Sequence, residues 1–160
     1  MRGAREKNTF MDITTDVFFK AMACLDQQVR QSKIRFDTVV GISRGGLIAS
    51  TVLSHRLEVP LRVVEWSTRD TGYQYCPEDL YQSIIEGKQI LLVDDIIDSG
   101  KTIRELLDIW GREDDINVSV ACIVHNTAQD LVVPDFWFKQ IDRNVDKEWV
   151  NFWWEKNGHS

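Results

Sequence analysis

The chain alternates between segments with helical spacing of apolar residues and short, continuous apolar runs. Helical spacing predicts a first helix after a polar N-terminal arm, with Thr14 or Thr15 as its cap. The buried face of this helix is formed by Phe18, Ala21, Met22, Leu25 and Val29. The same spacing predicts two more helices, with faces formed by Ala49, Val52, Leu53 and Leu57, and by Ile103, Leu106, Leu107 and Trp110.

The apolar runs have the length of buried strands: FDTVVGI, LRVVEW, QILLV and NVSVACIV. The polar stretch STRDTGYQYCPEDLYQSIIEGK is weakly patterned, and we expect a long mobile loop there. Near the C-terminus, KEWVNFWWEK predicts an added antiparallel strand with Trp149, Asn151 and Trp153 on one side.

Strands that alternate with helices predict βαβ units, hence an α/β fold with a mainly parallel, twisted sheet flanked by helices. The 160 residues contain no internal repeat or linker, so a single domain, residues 1–160 with a core over about 36–127, is expected. In parallel sheets ligands bind beyond the carboxyl ends of the strands. The segments SRGG and DDIIDSGKT both follow strands at that end.

Composition and charge exclude several classes of protein. A net charge of −6 and a pI near 5.0 argue against nucleic-acid binding, which needs a basic surface. No apolar run reaches a membrane span, and the first residues lack a signal core, so we expect a cytoplasmic protein without membrane contact. Three cysteines without metal-type spacing indicate reduced thiols.

The stretch ILLVDDIIDSGKTI carries most of the candidate chemistry. A nucleoside-triphosphate P-loop would need glycine where Asp95 stands, and a carboxylate there would repel a polyphosphate. At a strand-to-helix turn, however, Ser99–Thr102 could enclose one phosphate with backbone N–H groups and hydroxyls. Asp94 and Asp95 could accept hydrogen bonds from vicinal hydroxyls, so the ligand would be a ribose 5-phosphate. Taken alone, the acid pair is equally compatible with a solvated turn, and Ser99–Thr102 with a plain helix cap.

The segment VDDIIDSGKT resembles the phosphoribosyltransferase signature at every position. The resemblance implies a type I phosphoribosyltransferase fold. It also implies that Asp94 and Asp95 bind the ribose hydroxyls of phosphoribosyl diphosphate, directly or through Mg²⁺. The 5-phosphate would be held by Asp98, Ser99, Gly100, Lys101 and Thr102.

The segment GISRGG is similar to the family loop that receives pyrophosphate, with Ser43, Arg44, Gly45 and Gly46 as the residues concerned. Arg44 supplies a fixed cation, and the glycines leave backbone N–H groups accessible. The family often holds this loop with a non-proline cis peptide, which the resemblance puts at Ser43–Arg44.

Two features resemble the 6-oxopurine branch. Asp98 matches the acid that faces purine N7 and accepts its proton, and KEWVNFWWEK is similar to the ending of bacterial xanthine-guanine and hypoxanthine enzymes. By that match Trp149 stacks on the base, the Val150 backbone reads its edge, and Glu155 lies near the Mg²⁺-diphosphate. One departure stands at Asn126, where the family has a lysine that donates to O6.

The resemblance implies a Mg²⁺-dependent purine phosphoribosyltransferase acting on guanine, xanthine or hypoxanthine, and a homodimer or homotetramer. Helix 14–33 and residues 134–160 would form a small hood, and Ser67 to Gln82 a lid, although WSTRD lacks the Ser-Tyr pair usual in the family lid. The alternative is a non-catalytic regulator of the same fold that senses phosphoribosyl diphosphate or nucleotides. A pyrimidine or adenine transferase ranks lower, since such enzymes usually lack the C-terminal tryptophan motif.

Overall fold

The computed structural model describes residues 10–66, 74–111 and 117–155. The strands are β1 (Phe10–Ile13), β2 (Thr38–Ser43), β3 (Leu61–Trp66), β4 (Gln74–Tyr75), β5 (Ile90–Ile97), β6 (Val118–Asn126), β7 (Phe136–Ile141) and β8 (Trp149–Phe152). The helices are α1 (Thr15–Gln31), α2 (Gly46–Leu57), α3 (Glu78–Ile85) and α4 (Lys101–Trp110), and a short 3-10 turn covers Trp153–Glu155.

Six strands form one sheet in the order β4-β3-β2-β5-β6-β7. All neighbours in it are parallel except the edge pair β3 and β4. Helices lie in the connections from β2 to β3, from β3 to β5 and from β5 to β6, as βαβ units require, whereas residues 127–135 join β6 to β7 without a helix. The predicted α/β fold with a mainly parallel sheet flanked by helices is therefore confirmed.

The sheet has an apolar layer on each face, because successive side chains of a strand point to opposite sides. On one face Val39, Leu91 and Val93 pack against α1 and α2. On the other, Val40 and Leu92 pack against α3 and α4. The two layers bury the strands that lead into the loops after β2 and β5.

Helix α1 begins and packs as its apolar spacing predicts. The Thr14 side chain accepts a hydrogen bond from the Val17 N–H, which satisfies one of the free donors of the first turn. Its buried residues are the predicted Phe18, Ala21, Met22, Leu25 and Val29. Among the described helices, none combines the length and the apolar character needed to cross a membrane.

Three sequence predictions of elements are wrong. The expected loop contains β4 and α3, which has only two buried residues, Leu80 and Ile84, to signal it. The C-terminal strand β8 is parallel rather than antiparallel, and it pairs with β1, which was expected to be an arm. Finally, β7 extends the sheet beyond residue 127. Residues 67–73 of the expected lid lie outside the described residues.

Candidate active site

A cavity of about 1100 Å³ opens at the carboxyl ends of β2, β3 and β5. Most of the candidate residues line it: Ser43, Arg44, Gly45, Asp94, Asp95, Asp98, Ser99, Gly100, Lys101, Thr102, Trp149, Val150 and Glu155. Gly46 and Asn126, both in the described part of the chain, do not. Segments that are far apart in the sequence thus meet at one site.

The paired carboxylates lie in the last half of β5 and are poorly solvated. Asp94 Oδ1 accepts the Asp95 N–H at 2.9 Å, and Asp95 Oδ1 accepts the Ile96 N–H at 2.7 Å. Burial, followed by the charge of Asp95, raises the pKa of Asp94 well above its ordinary value. Burial also raises the pKa of Asp95 to about 6, with a further contribution from the charge of Glu155. A ligand that donates hydrogen bonds or carries positive charge would relieve this destabilisation.

The loop after β5 presents the N-terminus of a ten-residue helix to the cavity. Gly100 caps α4 with φ +75°, a left-handed conformation that favours glycine. A Cβ added there would lie 2.8 Å from Gln129 Oε1, so the position also has little room for a side chain. The N-terminal N–H groups and the positive dipole end of α4 suit a phosphate, and among these groups the Lys101 N–H also donates to Ser99 Oγ at 3.4 Å.

The loop after β2 faces the same cavity from the neighbouring strand. The Ser43–Arg44 peptide bond is cis, as the family resemblance predicts. Ser43, Arg44 and Gly45 line the cavity. A Cβ on Gly45 would lie 2.4 Å from Asp95 Oδ2, so this glycine lets the loop approach the acid pair.

Gly46 has a structural position, because it packs α2 against the backbone of β5. A Cβ there would lie 2.4 Å from the Val93 carbonyl oxygen and 3.0 Å from the Asp94 Cα. Gly46 does not line the cavity, and the pyrophosphate contact predicted for it stays a prediction.

We therefore expect Gly46→Ala to destabilise the protein, although helix propensity alone favours alanine. Moving α2 away from β5 should cost about 2–3 kcal/mol and lower the melting temperature by about 5–10 °C. Calorimetry checks this, with Thr51→Ala, at an exposed position of α2, as the control. A melting temperature that rises with Gly46→Ala would contradict the steric argument.

The hood side of the cavity is formed by β8 and the turn after it. Trp149 is 62% exposed, whereas Val150 is buried, with only 5% of its surface exposed. Glu155 also lines the cavity, and its Oε2 accepts the Phe152 N–H at 3.2 Å. An exposed indole at the mouth of a polar cavity provides a flat surface on which a ring can stack.

Asn126 lies behind Asp98 and does not line the cavity. Its Nδ2 donates to the Asp98 carbonyl oxygen at 2.9 Å, and the residue is buried, with only 6% of its surface exposed. The predicted base contact of Asn126 therefore has no support in this geometry, because the side chain is directed to neighbouring protein atoms.

Sequence reasoning missed Arg143, which lines the cavity next to Asp98. Its Nε donates to Asp98 Oδ1 at 3.1 Å. Arg143 stands in a short polar connection between β7 and β8, where it belongs to no periodic pattern or motif. No sequence signal distinguishes it from a surface arginine.

The fold and the residues of this cavity can be compared with those of known protein families. The family described as "Phosphoribosyl transferase domain" matches residues 13–156. The chain therefore belongs to the phosphoribosyl transferase family.

Individual relatives are more distant. Orotate phosphoribosyltransferase of Caenorhabditis elegans is 32% identical over 93 residues, covering 58% of this chain and 40% of that protein. Xanthine-guanine phosphoribosyltransferase of Cereibacter sphaeroides is 34% identical over 84 residues, covering 46% and 47%. The chain thus spans about half or less of the length of these relatives. The crystal structure of purine phosphoribosyltransferase from Pyrococcus horikoshii has a TM-score of 0.75 and 24% identity, covering 96% of this chain and 98% of that chain, which is a likeness of fold.

Proposed function

We propose that this protein transfers the 5-phosphoribosyl group of phosphoribosyl diphosphate to a 6-oxopurine, that is guanine, xanthine or hypoxanthine, and releases pyrophosphate. One observation carries the proposal: the acid pair, the N-terminus of α4, the Arg44 loop, Asp98 and Trp149 line a single cavity. In that order, they match the ribose diol, the 5-phosphate monoester, the diphosphate, the proton of the base and the ring of the base. The proposed biological role is purine salvage.

The reaction breaks the bond between ribose C1 and the diphosphate oxygen, and the electron pair leaves with the diphosphate. The purine N9 lone pair then forms the new bond to C1. Arg44 and the backbone N–H groups of its loop neutralise the leaving group. Asp98 takes the proton from N7 as the ring becomes cationic, which restores a neutral base. Holding both substrates in one cavity supplies the remaining advantage through proximity.

We propose Mg²⁺ as the metal, held by Asp94 and Asp95 with Glu155 nearby. Mg²⁺ prefers oxygen ligands and usually combines one or two carboxylates with substrate phosphates and water. One partly buried and one buried carboxylate, both with raised pKa values, fit that donor set. Within the described residues, no group of three or more His, Cys, Asp or Glu could hold a metal by itself. When bound, Mg²⁺ would offset charge on the diphosphate.

A pyrophosphate-release assay with phosphoribosyl diphosphate, Mg²⁺ and a panel of bases tests the proposal. We expect hypoxanthine, guanine or xanthine to be used with a kcat/KM at least about tenfold above those of adenine, orotate and uracil. Added EDTA should abolish release. Faster turnover of orotate or adenine would contradict the proposed substrate class.

The same assay separates a transferase from the alternative, a non-catalytic sensor of phosphoribosyl diphosphate or nucleotides. A sensor would bind phosphoribosyl diphosphate or a nucleotide in calorimetry yet release no pyrophosphate with any base. Asp98 favours the transferase, because a sensor of phosphoribosyl diphosphate or of a nucleotide needs no group that accepts a proton from the base.

A further inference from the structure

The hydrogen-bonding capacity of Asn126 is fully used by the protein. Its Nδ2 donates to the carbonyl oxygen and to Oδ1 of Asp98, at 2.9 and 3.3 Å. Its Oδ1 accepts the N–H groups of Ala128 and Arg143, at 3.0 and 3.1 Å. A carboxamide has two donor hydrogens and two acceptor lone pairs, so no capacity is left for a ligand. Asn126 therefore positions Asp98 and Arg143 relative to each other.

Arg143 is the cation that the cavity presents beside Asp98. Nε donates to Asp98 Oδ1 at 3.1 Å, and Nη1 donates to the Glu148 carbonyl oxygen, next to Trp149. These two bonds hold the guanidinium between the end of β5 and the start of β8, with 23% of the side chain exposed. Within the described residues, Nη2 of Arg143 and Oδ2 of Asp98 make no hydrogen bond. Arg143 therefore keeps an unused donor and Asp98 an unused acceptor, and both residues line the same cavity.

This pair is complementary to one edge of a 6-oxopurine. In the N7–H tautomer, N7 donates and O6, which lies three bonds away on the same edge of the ring, accepts. A carboxylate only accepts and a guanidinium only donates, so both contacts are satisfied together. A 6-aminopurine would instead oppose its amino hydrogens to the guanidinium hydrogens. The arrangement therefore distinguishes the oxo group from the amino group at position 6.

We propose that Arg143 is the specificity-determining residue for the base, and that its guanidinium donates to the 6-oxo group while Asp98 faces N7. This inference rests on the proposed function and identifies the residue that selects within its substrate class. It also explains how a chain with a saturated Asn126 recognises the oxo group: the donor comes from the β7–β8 connection instead of the end of β6.

Hypoxanthine and unsubstituted purine form a matched pair of substrates, since hypoxanthine carries the oxo group and purine does not. In the wild type, kcat/KM should favour hypoxanthine. With Arg143→Met this preference should fall by about 10- to 100-fold, the value of a charge-assisted hydrogen bond, while the KM for phosphoribosyl diphosphate stays within about threefold. Arg143→Lys, which keeps a charged donor, should retain part of the preference.

Arg30→Met is the matched control, because Arg30 makes the same kind of contacts outside the cavity. Its Nε donates to Asp26 Oδ1 at 2.9 Å and its Nη2 to the Arg56 carbonyl oxygen at 2.7 Å. This variant should leave the preference between hypoxanthine and purine unchanged. If Arg143→Met lowered kcat/KM equally for both bases, the inference would be overturned. Equal losses would show that Arg143 only stabilises the segment around β8 and does not select the base.

A binding experiment separates failure of this inference from failure of the proposed function. Calorimetry compares inosine 5′-monophosphate with purine riboside 5′-monophosphate, which lacks the oxo group. We expect the wild type to bind the inosine nucleotide at least about tenfold more tightly and Arg143→Met to lose this difference. Equal affinities in the wild type would overturn the role of Arg143, whether or not the variant folds. Absence of pyrophosphate release with every base would instead contradict the transferase and leave this comparison decisive for Arg143.

Discussion

Replacing Asp98 with asparagine should lower kcat by about 100- to 10,000-fold and leave the affinity for phosphoribosyl diphosphate nearly unchanged. Asparagine has the same shape, and its side-chain oxygen can still accept from Arg143 Nε, now 3.1 Å from Asp98 Oδ1. It cannot take a proton from N7, however, so only the chemical step should suffer. Single-turnover kinetics and calorimetric titration with phosphoribosyl diphosphate measure the two quantities separately.

The matched control is Asp79→Asn, because Asp79 also pairs with an arginine. Arg62 Nε donates to Asp79 Oδ2 at 2.8 Å, and neither residue lines the cavity. This variant should keep the wild-type kcat. If Asp98→Asn lowered the affinity for phosphoribosyl diphosphate and kcat by the same factor, Asp98 would not be the proton acceptor. A residue that positions the substrate or binds its phosphate predicts such equal losses.

Replacing Asp95 with asparagine should stabilise the free protein and weaken its binding of phosphoribosyl diphosphate. Burial raises the pKa of Asp95 from 3.8 to about 6, so the ionised form destabilises the fold at neutral pH by about 3 kcal/mol. In metal-free buffer at pH 7.5 the melting temperature should rise by about 6–12 °C. Loss of one charged acceptor for the ribose hydroxyls should weaken binding by about 10- to 100-fold.

The raised pKa of Asp95 also fixes how the stability gained by Asp95→Asn should change with pH. A carboxyl whose folded-state pKa is raised holds its proton more tightly in the folded protein than in the unfolded chain. Its contribution to stability is fully present below pH 3.8 and is lost as the pH rises through 6. The advantage of Asp95→Asn should therefore shrink at pH 4.5. Calorimetric melts at both pH values check this, with the exposed Asp108→Asn as the control. A pH-independent gain would show that the charge is not its cause.

Local signals were sufficient for the parts of the fold that contiguous residues encode. The spacing of Phe18, Met22 and Leu25 predicts α1, because the residues of one helix face lie three or four positions apart. The segment VDDIIDSGKT likewise contains a complete strand, turn and helix start, and its candidate residues line one cavity. Helix α3 was missed because Leu80 and Ile84 are too few to establish a period, and Pro77 at its start makes no side-chain cap.

Contacts between distant segments were not predictable in the same way. The direction of β8 depends on its partner β1, and the pair is joined by a hydrogen bond from Asn151 Nδ2 to Asp12 Oδ1, 139 residues apart. The positions of Asn126 and Arg143 depend on their shared neighbour, Asp98, and on the path of the β7–β8 connection. Neither residue type nor spacing along the chain indicates which of the two faces a ligand.

The amino-acid sequence alone determined the class of fold, the family and the candidate groups for sugar, phosphate and diphosphate. These depend on periodicity, caps and a short motif, all of which act between residues that are close along the chain. Only the tertiary structure decided which polar side chain near Asp98 lines the cavity. Asn126 is saturated by protein partners while Arg143 reaches the cavity, because hydrogen bonds form between atoms that folding brings together from separate elements.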